Sequence, residues 1–193
     1  MDFRDFEKFC RKEGLEIFTI QDLKVLLSEY SPSYIRLKIH RWIQSGFLRA
    51  LRRGVYVLAE LSPDEFEISA NLIQPSYISL ESALSHYSLI PDVSAIVTAI
   101  TPKNTRRFTI GKTHFHYYHI QQPLFFEFVN LHGNVFIASR EKALLDFFYF
   151  RKPQEKDLFF ERLNPISVKD VNMNKLLIIA KKYPSFIEKS LTL

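Results

Sequence analysis

Six Lys or Arg side chains and no Asp or Glu lie between Ser31 and Leu58: Arg36, Lys38, Arg41, Arg49, Arg52 and Arg53. Cations at this density can displace counterions from a phosphate backbone, and hydrogen-bonding neighbours can read base edges. Ser33, Tyr34, Leu37, His40 and Gln44 interleave with them, supplying hydroxyl, imidazole, amide and apolar contacts. The eleven residues together are expected to contact DNA. A second stretch without acids, Val93 to Phe126, holds Lys103, Arg106, Arg107 and Lys112. Of these, Arg106, Arg107 and Lys112 are expected to form an effector surface on a basic hairpin. A solvated basic face is the competing reading of each stretch.

Other chemistry finds less support. His114 and His116 stand two apart, on one face of a strand, whereas His119 has the opposite parity. No acidic residue in that stretch completes a metal site, so the pair reads as half-buried surface beside Tyr117 and Tyr118. Cys10 is the one cysteine, which excludes an intrachain disulfide and a Cys-based zinc site. It falls on the apolar side of an amphipathic segment and reads as core rather than nucleophile. Five glycines form no phosphate-binding loop, and no G-x-S-x-G elbow occurs. Glu141 and Asp146 do not share a helical face, and Glu81 and Asp92 belong to different elements. No catalytic residue, cofactor or metal is therefore expected.

Local signals show how the basic residues are positioned. Phe3, Phe6, Phe9 and Cys10 recur at helical spacing up to Gly14, and "EIFTI" is short and extended. Thr19 and Asp22 suit a helix cap ahead of Leu23, Leu26 and Leu27. Ser31 suits an N-cap, Pro32 the first helical position and Gly46 the residue after the end. Ile35, Ile39, Trp42 and Ile43 fall within about 100° on a helical wheel, giving this helix an apolar back and a basic front. "FLRAL", "RRG" and "VYVL" then read as a hairpin, its three loop residues ending in glycine and pushing Arg52 and Arg53 outward.

The order helix, helix, helix, hairpin is that of a winged helix-turn-helix, whose third helix can enter a major groove while the hairpin follows the backbone or minor groove. "LSPDEF" carries a fresh N-cap signal, which puts a domain boundary near residue 60. Beyond it, a helix runs from about Ser62 to Ile73, and "ISLESALSHYSLIP" forms another, capped by Ser79. "SAIVTAIT" and "GNVFIAS" are strands, "RRFTIGKTHFHYYHI" a hairpin turning at Gly111 and Lys112, and "REKALLDFFYF" a helix. Two or three helices follow from about residue 154. The fold class expected is α+β: a winged helix-turn-helix over residues 1–60, then a mixed α/β domain with a helical tail over residues 61–193.

The composition, 47% hydrophobic against 24% charged, is that of a globular chain and argues against disorder. With 18 Phe and 9 Tyr, cores built on rings are expected. No apolar run approaches the roughly 20 residues that span a bilayer, and the charged N-terminus is unlike a signal peptide. A cytoplasmic location without membrane contact is expected.

The third helix, "GFLRALRRGVYVL", "YISLESALSHYSLIP" and "FIASREKALLDFFYF", taken in order, resemble the AbiEi family of antitoxins from type IV toxin–antitoxin systems. The resemblance reaches to about residue 150. It implies an N-terminal winged domain that binds inverted repeats in double-stranded DNA upstream of its own operon and represses it. It further implies a non-enzymatic C-terminal domain that counteracts a nucleotidyltransferase-type toxin. By position, the wing arginines correspond to Arg52 and Arg53, followed by Gly54, Val55 and Tyr56, and the recognition helix to Ser33–Gln44. Two other readings stay open: a protein-interaction module without DNA binding, and a metal-dependent nuclease-like enzyme.

Overall fold

The computed structural model describes residues 2–91, 95–152, 155, 161–185 and 187. The chain is mixed α+β, with seven α-helices and two sheets among the described residues. It divides into two compact units, Met1–Leu72 and Ile73–Leu193.

In the first unit, Asp2 caps α1 (Phe3–Glu13) and Gly14, at φ +63°, ends it in the left-handed conformation that glycine adopts without strain. Strand β1 (Ile17–Thr19) leads directly into α2 (Ile20–Leu26), where Thr19 and Asp22 form a reciprocal capping box. Ser31 caps α3 (Pro32–Gln44), with Pro32 in the first turn. Strands β2 (Leu48–Arg52) and β3 (Val55–Leu58) form an antiparallel hairpin, and β1 pairs with the far side of β3, giving the order β1-β3-β2.

The core of this unit gathers Phe6, Cys10, Phe18, Leu23, Leu27, Ile35, Ile39, Trp42, Leu48 and Leu58. Phe6 stacks on Trp42 at 4.8 Å and meets Phe18 edge-on at 5.2 Å. Burial pushes the Cys10 thiol up to about 11, so it stays protonated and packs as a small apolar group. Helix α4 (Glu65–Leu72) starts where Asp64 and Glu67 cap each other's backbone N–H groups. It packs against β1 and belongs to the first unit, whereas a boundary near residue 60 would leave it in the second.

The second unit holds β4 (Tyr77–Ile78), α5 (Leu80–His86), β5 (Ile96–Thr101), β6 (Arg106–Ile110), β7 (Thr113–His119), β8 (Phe128–His132), β9 (Val135–Ala138), α6 (Arg140–Phe150) and α7 (Met173–Ala180). Its sheet runs β6-β7-β5-β4-β9-β8, with β5–β7 and β4–β9 parallel and the other pairs antiparallel. Helix α5 packs on β5 and α6, and α6 on α7. A 3-10 turn (Ser167–Asp170) precedes α7. Of the expected helical tail, residues 154, 156–160, 186 and 188–193, and also Asp92, lie outside the described residues.

Ser79 departs from its expected role. It sits at the N-cap of α5, but its side chain makes no capping hydrogen bond and donates instead to Asp146 Oδ2 at 2.8 Å. A buried carboxylate offers a stronger, charge-assisted bond than a backbone N–H. The turn is held by the neighbouring strand, with Thr98 Oγ1 donating to the Ser79 carbonyl at 2.6 Å and the Ser79 N–H donating to the Thr98 carbonyl at 3.1 Å. Leu80, fully buried, is thereby kept at φ +56°, a conformation that costs a side-chain-bearing residue about 1–2 kcal/mol.

Candidate nucleic-acid interface

Helix α3 buries Ile35, Ile39 and Trp42. With the apolar stripe fixed inward, Ser33, Tyr34, Arg36, Leu37, His40, Arg41 and Gln44 are exposed. Leu37 is 44% exposed at the middle of that face, an apolar contact point among polar ones. Tyr34 stacks on Tyr30 at 4.8 Å, and the Lys38 ammonium lies 5.6 Å from the Tyr34 ring centroid and 5.9 Å from that of Trp42. Those rings stiffen the stem of Lys38, which is half-buried, while the other cations of the helix extend into solvent.

The hairpin differs from the expected three-residue loop. Arg52 pairs with Val55, so Arg53 and Gly54 alone form the turn, and the extra residue appears as a register shift between Ala50 and Arg52. The Gly54 carbonyl, at a residue of φ +86°, accepts the Ile20 N–H at 2.9 Å and ties the turn to the start of α2.

The shift separates the two arginines. Arg53 is exposed at the tip, but Arg52 is half-buried and its Nη2 donates to the Leu72 carbonyl at 3.3 Å. The expectation that both point outward is corrected: the last carbonyls of a helix need donors, and Arg52 serves that end of α4. Arg49 is exposed, with its Nη2 donating to the Leu61 carbonyl at 3.1 Å. Among the described residues, none of Arg36, Lys38, Arg41, Arg49 and Arg53 forms an ion pair with a carboxylate. Their charge is thus free to act outward, the condition for gaining free energy from a polyanion.

In the second unit, Arg106, Arg107 and Lys112 are exposed on the β6–β7 hairpin. Strand alternation puts Arg106 and Arg107 on opposite faces, so the three do not converge. Arg107 stands opposite His116, and Thr109 opposite His114. His119 lies apart, with Nδ1 3.1 Å from the Lys103 carbonyl oxygen. Among the described residues, no three His, Cys, Asp or Glu side chains are grouped to hold a metal ion.

A buried polar cluster in the second unit escaped the sequence reading. Lys142 and Asp146 of α6 are both fully buried and paired at 2.7 Å. The Lys142 ammonium also donates to the Leu124 carbonyl at 2.8 Å and to the Tyr183 hydroxyl. Asp146 accepts from Tyr77 at 3.0 Å, Ser79 at 2.8 Å and Tyr183 at 2.6 Å. Burial pushes the Lys142 ammonium below its ordinary value, Asp146 pulling the other way, and burial beside Asp146 drives the Tyr77 and Tyr183 phenols well up. Closed to solvent on every member, the cluster braces the fold rather than meeting a substrate. Its sequence signal was a Lys and an Asp four apart in an otherwise apolar helix.

Glu141, 5% exposed on the same helix, accepts the Asn172 N–H at 2.9 Å and lies 3.4 Å from Lys175. No helix among the described residues is long and apolar enough to cross a membrane. Compared with protein-family models and with curated proteins, the chain matches none.

Proposed function

We propose that the first unit is a winged helix-turn-helix and that the chain is a DNA-binding transcriptional repressor. The observation that carries this reading is the exposed face of α3. There Ser33, Arg36, His40, Arg41 and Gln44 surround Leu37, next in the chain to a hairpin bearing Arg49 and Arg53, with no acid from Ser31 to Leu58. A face of this kind offers ionic contacts to phosphates, hydrogen-bonding groups for base edges and an apolar group for a thymine methyl. In this reading α3 is the recognition helix and Arg53 the wing contact, while Arg52 supports the wing from beneath.

The resemblance to AbiEi antitoxins extends the proposal. The DNA bound is an inverted repeat upstream of the chain's own gene, and the second unit, without catalysis of its own, counteracts a nucleotidyltransferase-type toxin. Two experiments test these parts separately. Gel shifts on the upstream DNA should show a complex that Arg49→Glu with Arg53→Glu weakens at least tenfold; equal affinity would remove the wing assignment. Co-expression with a neighbouring nucleotidyltransferase-like gene should rescue growth, and failure to rescue would leave a repressor without the antitoxin role. A stable protein partner together with no DNA shift would replace both by the interaction-module reading.

A further inference from the structure

One face of the second unit's sheet edge gathers Arg107, expected on the effector surface, with two imidazoles that the proposed function does not use. The two-residue turn at Gly111 and Lys112 sets the register, so Arg107 of β6, His116 of β7 and Thr98 of β5 lie side by side across three strands. His114 stands two residues along on the same face, opposite Thr109, whose Oγ1 is 3.0 Å from its Nδ1. That contact orients the ring and leaves Nε2 for another partner. Phe115 and Tyr117, of opposite parity, are buried on the other face.

The charged groups bordering this patch are already paired. Arg151, at the end of α6, donates twice to Glu81 of α5, at 2.6 Å each, and lies over the Tyr118 ring. Arg107 has no carboxylate partner among the described residues. Charge on β6 can be ascribed to protection of an edge strand from pairing. That role does not account for two imidazoles on β7, which has a neighbour on each side.

We propose that Arg107, His114 and His116 form a binding site for a phosphoryl group, with Arg107 as the fixed cation and the two imidazoles as donors. A tetrahedral oxyanion meets the Arg107 guanidinium as its counter-charge and accepts from it and from ring N–H groups, as charge-assisted hydrogen bonds require. A metal ion is disfavoured by the same surroundings, because Arg107 and Arg151 repel it. The site lies within the second unit and uses no residue of the first.

The site also senses pH. Burial holds His116 below its ordinary value of 6.5, and the charges of Arg107, His114 and Arg151 lower it further, against the opposing pull of Glu81. The free site is thus neutral at His116 near pH 7, and a bound anion favours the protonated ring. Binding takes up a proton and strengthens as pH falls through the titration range of histidine.

Imidazole NMR signals of the full chain, titrated with sulfate, whose charge stays constant from about pH 7.5 to about pH 5.5, test the site. Saturable shifts at His114 and His116 but not at His132 of β8 are expected, with affinity rising by up to about tenfold per pH unit lowered. Arg107→Gln should weaken binding about tenfold or more, and His116→Gln should leave weaker binding with a shallower pH dependence. Both variants should keep the wild-type thermal midpoint, since Arg107 is exposed and His116 half-buried. Parallel drift of all histidines, an unchanged response in Arg107→Gln, or zinc saturation without a sulfate response would overturn the proposal. A dinucleoside monophosphate and a nucleoside 5′-monophosphate then compete with sulfate. Stronger displacement by the first identifies a nucleic-acid backbone and by the second a terminal phosphate; displacement by neither overturns the phosphoryl assignment.

Discussion

Replacing Asp146 by alanine would remove the acceptor on which four buried donors converge: Tyr77 Oη, Ser79 Oγ, Lys142 Nζ and Tyr183 Oη. The Lys142 ammonium would keep only the Leu124 carbonyl and the Tyr183 hydroxyl. Removing one member of a buried ion pair costs about 3–5 kcal/mol, because the survivor's charge stays desolvated. The second unit spans Ile73–Leu193. At about 2.1 cal/mol/K of unfolding entropy per residue, that loss corresponds to a midpoint lowered by roughly 12–20 °C. Replacing both partners, Lys142→Met with Asp146→Leu, removes both buried charges and leaves three hydroxyls without their acceptor and the Leu124 carbonyl without its Lys142 donor. The double variant should therefore recover at least half of the loss, and a double-mutant cycle should give a coupling of about 2 kcal/mol or more. Calorimetry or urea denaturation of wild type, Lys142→Met, Asp146→Leu and the double variant supplies the four corners of the cycle, with Asp146→Ala measured beside them. A loss below about 1 kcal/mol in Asp146→Ala, or a double variant no more stable than the single, would refute the view that uncompensated charge dominates.

Three further outcomes are expected. If all five unpaired cations of α3 and the hairpin meet phosphates, the logarithm of DNA affinity falls with the logarithm of salt at a slope of about −4.5, and replacing Arg49 and Arg53 by Ala should reduce that slope by about 2, as read by fluorescence anisotropy. Arg52→Ala should instead act on stability, costing about 1–2 kcal/mol in urea denaturation through the carbonyl of Leu72, with a smaller effect on the salt slope than Arg53→Ala. Glu141 is pushed up by burial, but the Asn172 and Glu141 N–H groups and Lys175 outweigh this and hold it below its ordinary value of 4.5. Its contribution to stability is present above pH 4.5 and lost as pH falls through the folded value, so Glu141→Gln should flatten the acid limb of a stability–pH profile.

Elements with short-range signals were legible in the sequence. Asp22 behind Thr19, Pro32 after Ser31 and the glycines at 14 and 54 act on their own turn of chain, and the helices and hairpin of the first unit form where those signals stand. The exposed face of α3 followed from the same local logic, because the positions of Ile35, Ile39 and Trp42 dictate which side is left outward.

Tertiary structure decided the destinations of side chains with a choice of partners. Arg52 could have faced solvent like Arg53, but the uncapped end of α4 came within its reach. Ser79 could have capped α5, but Asp146, 67 residues away, offered a stronger acceptor. Helix α4 could have opened the second unit, but it packs on β1. Lys142 and Asp146 could pair along their own helix, yet Tyr77, Ser79, Leu124 and Tyr183 complete the cluster from distant segments. The order β6-β7-β5-β4-β9-β8 likewise depends on which distant strands meet. The division has one physical cause: caps and turns act within a few residues, whereas satisfying a buried polar group or a strand edge depends on what the rest of the chain brings beside it.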